Sequence, residues 1–310
     1  MQVVEKPRVR ASVVVLWLAL FPFAALTGLR LLGIDGPKPT IAAIALTPYA
    51  TVCAALLAAL CLVLRQWRVG AAAVVVALAL TSMVLPRAFA NEQPAVSGPT
   101  LRVMASNLLV GEADPAEVVR LVRAQHVDVL NLVELPTSAV ARLDQAGLAE
   151  ILPFRVVHPS RGAAGSGIFS RYPLTEIPLT RKQPMASLTV DDRVVEIVAA
   201  HPAAPMWEAD VWATEFADLP PAGPGLRIIA GDLNATLDHF KLRNLLATGY
   251  HDAANEVGSG FDPTWPSASF PPLVTIDHVL ADQRVAVRAY QVFDMPGSDH
   301  RAVYAELALP

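Results

Sequence analysis

The chain has 310 residues, enough for one sizeable domain and a second element, and 54% of them are hydrophobic. Its mean hydropathy of +0.43 excludes an ordinary soluble protein. The charge is unevenly placed, because 26 of the 28 acids and 16 of the 24 bases lie after residue 90, a net charge of −10 there. So acidic a domain is a poor electrostatic partner for duplex nucleic acid.

Three runs without a charged residue fill most of the first 90 residues, at positions 11–29, 40–64 and 69–86. Each approaches or exceeds the roughly 20 apolar residues that a membrane-crossing helix needs. A cleaved signal peptide explains only the first run, and a buried core helix does not explain three. We therefore predict a membrane anchor of three transmembrane helices over residues 1–90. The two cysteines, Cys53 and Cys61, both lie in this region, which leaves the remainder without a disulfide or a thiolate metal site.

Basic residues indicate how this anchor is oriented. Lys6, Arg8 and Arg10 precede the first run, and Arg65 and Arg68 separate the second from the third. Basic flanks face the cytoplasm, so three crossings place the chain after residue 90 outside it. The expected location is the cell membrane, as a multi-pass protein with an extracytoplasmic domain.

Residues 91–100 are polar and contain two prolines and a glycine, which predicts a linker before a domain at residues 101–310. Asp114, Pro115 and Glu117 form a helix start signal, and the helix is expected to end near residue 125. Many strands with few helices between them predict two packed sheets flanked by helices. The strands are expected at 101–110, 127–134, 166–170, 185–190, 193–201, 226–230, 275–280, 285–293 and 301–307, and further helices at 206–219 and 238–247.

Polar residues recur at the ends of these strands. They are Asn107, Glu134, His201, Asp232, Asn234, Asp277, Asp299 and His300. Each one alone is explained by ordinary turn or capping chemistry, although Asp277 lies between apolar neighbours and needs a partner. Strand ends converge on one edge of a sheet, so the set together predicts a site. Carboxylates and amides without cysteine are suited to a hard divalent ion.

The order of these motifs resembles the endonuclease/exonuclease/phosphatase superfamily, in particular its bacterial membrane-anchored members. The resemblance covers about residues 100–309 and implies a four-layer α/β sandwich with the active site at one edge of the paired sheets. It also implies Mg²⁺ or Mn²⁺. The motifs are ASN at 105–107, LVE at 132–134, GSGIFSRYPL at 165–174, AAHP at 199–202, GDLNAT at 231–236, DPTWPS at 262–267, TIDHVLAD at 275–282 and GSDH at 297–300.

Roles follow from the resemblance, motif by motif. It implies that Glu134 is the principal metal ligand, with Asn107 and Asp299 nearby. The catalytic residues it implies are Asp232 to orient or deprotonate water, Asn234 to hold a phosphate oxygen, His201 and His300 to donate to the phosphate, and Asp277 to fix the His300 tautomer. One departure is that Ala199 and Ala200 precede His201, where the family often has a polar residue.

Three other residues lie near the motifs. Tyr172 is expected to pack against or cap a strand, and His158 is expected to be structural. Trp265 is expected either to line the mouth of the site or to pack under its loop.

The expected function is hydrolysis of a phosphoester by metal-assisted attack of water, with a small phosphodiester or a phospholipid headgroup as substrate and a lipid bilayer as partner. No obligate protein partner is inferred. An extracellular nuclease is the alternative enzyme. A catalytically inactive, membrane-tethered binding module is a third reading, which predicts the loss of a metal or base residue. Specificity is expected in loops 153–167, 201–207 and 253–272.

Overall fold

The computed structural model describes residues 11–178, 183–268 and 273–310, and divides into two compact units, Met1–Pro86 and Arg87–Pro310. The basic residues before the first helix therefore lie outside the described part of the chain. The first unit contains four helices in its described residues. They are α1 (Ala11–Leu32), α2 (Lys38–Ala45), α3 (Thr47–Val63) and α4 (Trp67–Val84).

Two apolar helices in the described chain are each long enough to cross a membrane, Ala11–Leu32 and Trp67–Ala88. The run expected to form one continuous span over residues 40–64 is instead α2 and α3, bent by 71°. The prediction of three uninterrupted spans is therefore wrong at its second member. Pro48 lies in the first turn of α3. Because proline lacks an N–H and its ring clashes with the carbonyl of Ile44, α2 does not continue into α3 as one helix.

Small residues line the contact between α3 and α4. Ala54 and Ala58 on α3 and Ala73 and Ala77 on α4 are buried, each pair four residues apart. Residues at this spacing share one helix face, and small side chains let two backbones approach closely. Such an interface is typical of helices that pack in lipid, where the hydrophobic effect does not hold them together.

The second unit is a mixed α/β structure. Its described helices are α5 (Pro115–Ala124), α6 (Thr137–Gln145), α7 (Leu148–Ile151), α8 (Pro205–Ala217), α9 (Phe240–Leu246) and α10 (Ala253–Glu256). Its described strands are β1 (Thr100–Asn107), β2 (Val129–Val133), β3 (Phe154–His158), β4 (Ser166–Ser170), β5 (Thr175–Glu176), β6 (Met185–Val190), β7 (Arg193–Ala200), β8 (Leu226–Asp232), β9 (Tyr250–Asp252), β10 (Asp277–Asp282), β11 (Ala286–Phe293) and β12 (Ala302–Ala308).

Two six-stranded sheets form the centre of this unit. Their strand orders are β11-β12-β1-β2-β4-β3 and β5-β6-β7-β8-β10-β9. Only β1 with β2 and β7 with β8 pair in parallel among the described ladders. Apolar side chains from both sheets interdigitate between them, including Val103, Ile197 and Ile228. The prediction of two packed, mixed sheets is confirmed.

Helices cover the outer faces of the sheets. Leu121 of α5 and Leu143 of α6 join Leu130 and Phe169 of the first sheet in one apolar cluster. On the second sheet, the buried indole of Trp212 in α8 donates to the carbonyl of Leu233, directly after β8. Asp114 caps α5 as expected, because its carboxylate accepts from the amide of Ala116 at 2.9 Å.

Six elements in the described part of this unit do not follow from the sequence pattern, namely β3, β5, β9, α6, α7 and α10. Strand β3 lies in a segment expected to be a loop, and Val156 is its only fully buried residue, so its apolar alternation is weak. Helix α6 begins after Pro136, which offers no side-chain cap. Without an N-cap residue, the usual signal for a helix start is missing.

Residues 87–100 contact the rest of this unit closely. The Arg87 guanidinium forms two hydrogen bonds, of 2.6 and 2.8 Å, with the buried carboxylate of Asp238. Asn91 and Gln93 both bond Glu256, and Gln93 also accepts from the amide of Val287. The segment expected to be a linker therefore contributes specific contacts to the domain.

Candidate active site

Strand register explains why the polar strand ends meet. Ala200 of β7 pairs with Gly231 of β8, so His201 and Asp232 follow the two paired positions side by side. Asp277 of β10 lies directly opposite Asp232 in the antiparallel ladder. In the other sheet, Asn107 pairs with Val133, which places it beside Glu134. Five strands from two sheets therefore end or begin at one edge.

Gly231 allows β7 and β8 to approach at this edge. Its φ is +151°, and a Cβ built there would collide with the carbonyl oxygen of Ala200. A larger residue would separate the two strands or change their register. The glycine that precedes Asp232 thus sets how closely His201 and Asp232 lie.

Asp232 lies at the centre of the site. Its buried carboxylate accepts from the amide of Asn107 at 3.1 Å and from the backbone N–H of Asn234 at 2.8 Å. The Nε2 atoms of His201 and His300 lie 3.6 and 3.7 Å from its Oδ2. Oδ2 of Asp232 therefore faces the side-chain amide of Asn107 and the imidazoles of His201 and His300.

Glu134 occupies the adjacent position on the first sheet. Its Oε1 accepts from the Asn107 amide at 3.1 Å and its Oε2 from the backbone N–H of Val110 at 2.8 Å. Glu134, Val110 and Leu109 all have positive φ, between 45° and 54°. Such backbone costs about 1–3 kcal/mol per residue and persists where the surrounding structure imposes it, as at functional sites. The loop after β1 thus folds around the Glu134 carboxylate.

His300 and Asp277 form a buried pair beside Asp232. The Nδ1 of His300 lies 2.9 Å from Oδ2 of Asp277, while Nε2 faces Asp232. Thr264, fully buried, accepts from the backbone N–H groups of Ile276 and Asp277 and fixes where β10 begins. Nδ1 therefore carries the proton that binds Asp277, and Nε2 is directed into the site.

Electrostatic interactions set the charges of this cluster. Burial alone would raise the pKa of Asp232, but His300 and His201 outweigh it and lower that pKa to about 2. Burial alone would lower the pKa of His300, but Asp277 and Asp232 raise it to about 10. The pKa of His201 is also raised, because Asp232 and Glu134 outweigh its burial. The site at neutral pH thus contains an ionised Asp232 facing an imidazolium.

Asp299 lies at the rim of the cluster. Its Oδ2 accepts from the indole N–H of Trp265 at 2.9 Å, and its Oδ1 lies 3.9 Å from Nε2 of His300. That Oδ1 is buried without a hydrogen-bond partner among the described residues. Of the two readings for Trp265, the structure supports a place at the site, since its ring also lies 6.3 Å from that of His300.

All eight residues expected at the site are brought together. Each lies within 3.9 Å of at least one other, through the contacts of Asp232, Glu134 and His300 already described. His158, expected to be structural, pairs with Glu176 on the surface at 2.7 Å. Tyr172 packs on the core between the sheets, as expected.

Two sets of side chains offer metal ligands. Asp232, Asp277 and His300 have ligand atoms within 4.8 Å of one another. Their geometry is that of a hydrogen-bonded relay, because Asp277 already binds the His300 Nδ1 proton. Glu134 and Asp299 instead offer carboxylate oxygens, the ligands that Mg²⁺ prefers, and Oδ1 of Asp299 has an unused lone pair. Asn107 directs its amide nitrogen at the carboxylates of Glu134 and Asp232, so its amide oxygen binds a cation only after the amide turns over.

Several residues that support the site were not identified from the sequence. Ser298 donates to the carbonyl of Asn107 and accepts from the N–H of His300, which links the two sheets' contributions. The carbonyl of Ala163 lies 3.1 Å from Nδ1 of His201. Asn131, inside an apolar strand, bonds carbonyls of Val198 and Ala230 in the other sheet. A polar residue within VLNLV is the only hint of this last contact.

The sequence profile of the Endonuclease/Exonuclease/phosphatase family matches residues 104–300, so the chain belongs to this family. Members are hydrolases that act on phosphoesters and generally use divalent metals. No curated protein sequence matches the chain significantly.

Solved structures share the fold of the second unit. Humanized TDP2 of D. rerio has a TM-score of 0.53 at 16% identity, over 67% of this chain and 98% of that one. A family protein from Bacteroides vulgatus has a TM-score of 0.51 at 13% identity, over 68% and 100%. One from Leptotrichia buccalis C-1013-b has a TM-score of 0.51 at 11% identity, over 67% and 100%. At these identities the likeness concerns the fold alone.

Proposed function

We propose that this protein is a membrane-anchored, divalent-metal-dependent phosphodiesterase or phosphatase. The observation that carries the proposal is the Asp232 carboxylate, ionised and held between His201 and His300, with Glu134 on the other side of Asn107. This places an acceptor for a water proton beside two donors for phosphate oxygens. An intact inventory of this kind also disfavours the inactive binding module.

Glu134, Asp299 and a turned-over Asn107 are the proposed ligands of Mg²⁺ or Mn²⁺. The cation, when bound, neutralises phosphate charge and positions the phosphoryl group. The second unit has no cysteine, and its oxygen ligands fit these two ions better than zinc. The backbone N–H of Val110 holds Oε2 of Glu134, so Oε1 is free to turn from Asn107 toward the cation.

Asp232 is the proposed orienter and proton acceptor of the attacking water. With its pKa lowered to about 2 it is ionised at neutral pH, and the backbone N–H of Asn234 holds it in place. As the water oxygen forms its bond to phosphorus, one proton passes to the carboxylate and the bond to the leaving oxygen breaks. Because a carboxylate with so low a pKa is a weak base, orientation of the water is the larger part of its role.

His300, His201 and Asn234 are the proposed donors to the phosphate. The imidazolium of His300 presents Nε2–H to the site, and Asp277 holds its other nitrogen. Nδ1 of His201 faces the carbonyl of Ala163, which directs Nε2 inward. A donor aimed at charge that develops in the transition state contributes about 3 kcal/mol.

A small phosphodiester or a phospholipid headgroup is the proposed substrate class. The net charge of −10 after residue 90 opposes the approach of a long polyanion such as duplex DNA, whereas a single phosphoester carries little charge to repel. A solved structure with a related fold is of D. rerio TDP2 with a single-strand DNA product, so a nuclease is the alternative to be tested.

The proposed location of the domain is outside the cytoplasm, anchored by the apolar helices of the first unit. This topology requires the bent pair α2 and α3 to cross the membrane together with α1 and α4, which makes three crossings. Alkaline phosphatase fused after Pro310 should be active in intact cells, and green fluorescent protein fused there should be dark. The reverse pattern would place the domain in the cytoplasm.

Hydrolysis of a soluble bis-aryl phosphodiester by the full-length protein in detergent tests the reaction. We expect turnover with Mg²⁺ or Mn²⁺ that a chelator abolishes and added metal restores. Asp232→Asn should lower kcat by about 100-fold or more, because the amide keeps the shape but accepts no proton.

Asp192→Asn is the matched control for that substitution. It makes the same chemical change in an exposed turn at the far end of β7, where φ is +67°, a backbone that asparagine tolerates.

Plasmid nicking faster than release of a lipid headgroup would favour the nuclease. Absence of chelator-sensitive activity across a broad phosphoester panel would reject the enzyme.

A further inference from the structure

Five large apolar side chains are exposed on the second unit, three of them in segments next to the Arg87–Asp238 contact and two on helix α8. They are Phe89, Met206, Trp207, Phe240 and Phe261, here called the apolar rim. Trp207 is 81% exposed and Phe89 is 62% exposed. A cluster of exposed large apolar side chains of this kind marks an interaction surface.

Contacts within the unit bring the phenylalanines of the rim together. Asp238 binds Arg87, which lies two residues before Phe89, while Phe240 lies two residues after Asp238. Gly260, next to Phe261, donates its N–H to the carbonyl of Arg87, and a Cβ on Gly260 would touch the Arg87 side chain. Phe89, Phe240 and Phe261 therefore each lie within two residues of a member of this contact between Arg87, Asp238 and Gly260.

Helix α8 carries the other two members. The ring of Trp212 lies 5.7 Å from that of His239, so α8 is beside the segment that leads to Phe240. Met206 and Trp207 lie in the first turn of α8, where the backbone of Glu208 leaves the helical conformation. Helix α8 follows His201 by only a few residues, and Asn234 donates to the carbonyl of Pro202 in between. The rim thus adjoins two loops of the candidate site.

The chemistry of the rim and its place in the chain point to one occupant. Phe89 directly follows the 22-residue apolar helix Trp67–Ala88, so the surface that this helix enters also meets Phe89. Tryptophan favours the boundary between water and hydrocarbon.

We propose that the apolar rim docks on the surface of a lipid bilayer and brings the candidate site to phosphoesters that lie in that surface. This inference rests on the proposed function for its substrate, but the docking itself does not. The rim lies partly in loops 201–207 and 253–272, where specificity is expected. It follows that the preferred substrates are amphiphilic and remain in the bilayer during hydrolysis.

A fluorescent probe at the rim tests the docking. Full-length protein with Trp207→Cys, Cys53→Ser and Cys61→Ala is labelled with an environment-sensitive fluorophore and reconstituted into vesicles of phosphatidylcholine and phosphatidylglycerol. We expect quenching by lipids brominated on their acyl chains and protection from iodide in solution. Val194→Cys in the same background is the control, since Val194 is 59% exposed near the start of β7, the end away from His201.

Equal quenching of both probes by iodide would overturn the inference. Protection that appears in detergent without vesicles and rises with protein concentration would also overturn it, in favour of a second copy of this chain as the occupant.

Turnover tests the consequence for the substrate. In the double variant Trp207→Ser/Phe240→Ser, the ratio of headgroup release from vesicle lipid to hydrolysis of the soluble diester should fall about tenfold or more. Val194→Ser should leave the ratio unchanged. An unchanged ratio in the double variant, with the soluble diester still cleaved, rejects the inference and leaves the proposed function standing. A rim probe buried in lipid in a protein without phosphoesterase activity rejects the function and retains the docking.

Discussion

The carboxylate of Asp232 shows how single residues act in this site. It lies beside Asn107, Asn234, His201 and His300, and its charge helps to raise the pKa of both histidines. His300 gains a second partner in Asp277, at the shorter distance of 2.9 Å. An imidazole between two carboxylates remains protonated well above its ordinary pKa near 6.5.

The pH dependence of turnover should report this pairing. The pKa of His300 is raised to about 10, so the donor is present below that pH and is lost above it. Asp277→Asn removes one of the charges that raise the pKa. We expect the alkaline limit of kcat to move down by about one pH unit or more.

The control for that measurement is Asp144→Asn, which affects a surface ion pair with Arg155. Its pH profile should coincide with that of the unmodified protein. An alkaline limit that stays in place in Asp277→Asn, in protein that is still active, would show that His300 does not supply the proton in question.

At the scale of secondary-structure elements, β10 connects the site to the rest of the second sheet. His278, next to Asp277, is fully buried, with Nδ1 2.7 Å from Asp252 and Nε2 2.9 Å from the carbonyl of Ala235. Both ring nitrogens face acceptors, so both carry protons and the ring is cationic. The carboxylate of the same Asp252 caps α10 by accepting from the backbone N–H of Asn255. One ion pair thus joins β9, β10, α10 and the loop that contains Asn234.

Stability should depend on this pair. His278→Gln leaves the Asp252 carboxylate buried without its cation, which we expect to cost about 3–5 kcal/mol of unfolding free energy. His158→Gln is the matched control, because its pair with Glu176 has the same 2.7 Å length but is exposed, and such pairs contribute less than about 1 kcal/mol. Urea unfolding measures both.

The pH dependence of stability has a definite sign. Burial alone would lower the pKa of His278, but Asp252 raises it above the ordinary value. Its contribution is therefore complete below about pH 6.5 and is lost as pH rises through the raised pKa. The fall in stability on the alkaline side should be smaller in His278→Gln. Equal slopes in the two proteins would contradict a cationic His278.

At the scale of the whole molecule, the second unit begins before the residues expected to start it. Arg87, the first residue of the unit, holds Asp238 in a bidentate pair whose carboxylate is fully buried. Residues 90 and 91 pair with Val257 and Glu256. We propose that the stable domain is 87–310, rather than 101–310 with a separate linker.

Truncation tests this boundary. The piece 101–310 lacks Arg87, Asn91 and Gln93, and so removes the Arg87 guanidinium from the buried Asp238 carboxylate. We expect it to unfold with at least about 3–5 kcal/mol less free energy than the piece 87–310. Arg87→Met in the longer piece should reproduce most of the loss. Equal stability of the two pieces would show that residues 87–100 contribute nothing.

The amino-acid sequence by itself determined the local features of this protein. Hydropathy located the apolar helices, short apolar runs located most of the described strands, and polar residues at or near strand ends named the eight residues of the candidate site, because strand ends converge on the edge of a sheet. Tertiary structure decided what depends on packing between distant segments. The pair of Arg87 with Asp238, 151 residues apart, the cationic His278 and the apolar rim are of this kind. No local pattern encodes them, since each residue alone is an ordinary base, histidine or aromatic, and its role arises only from the neighbours that the fold supplies.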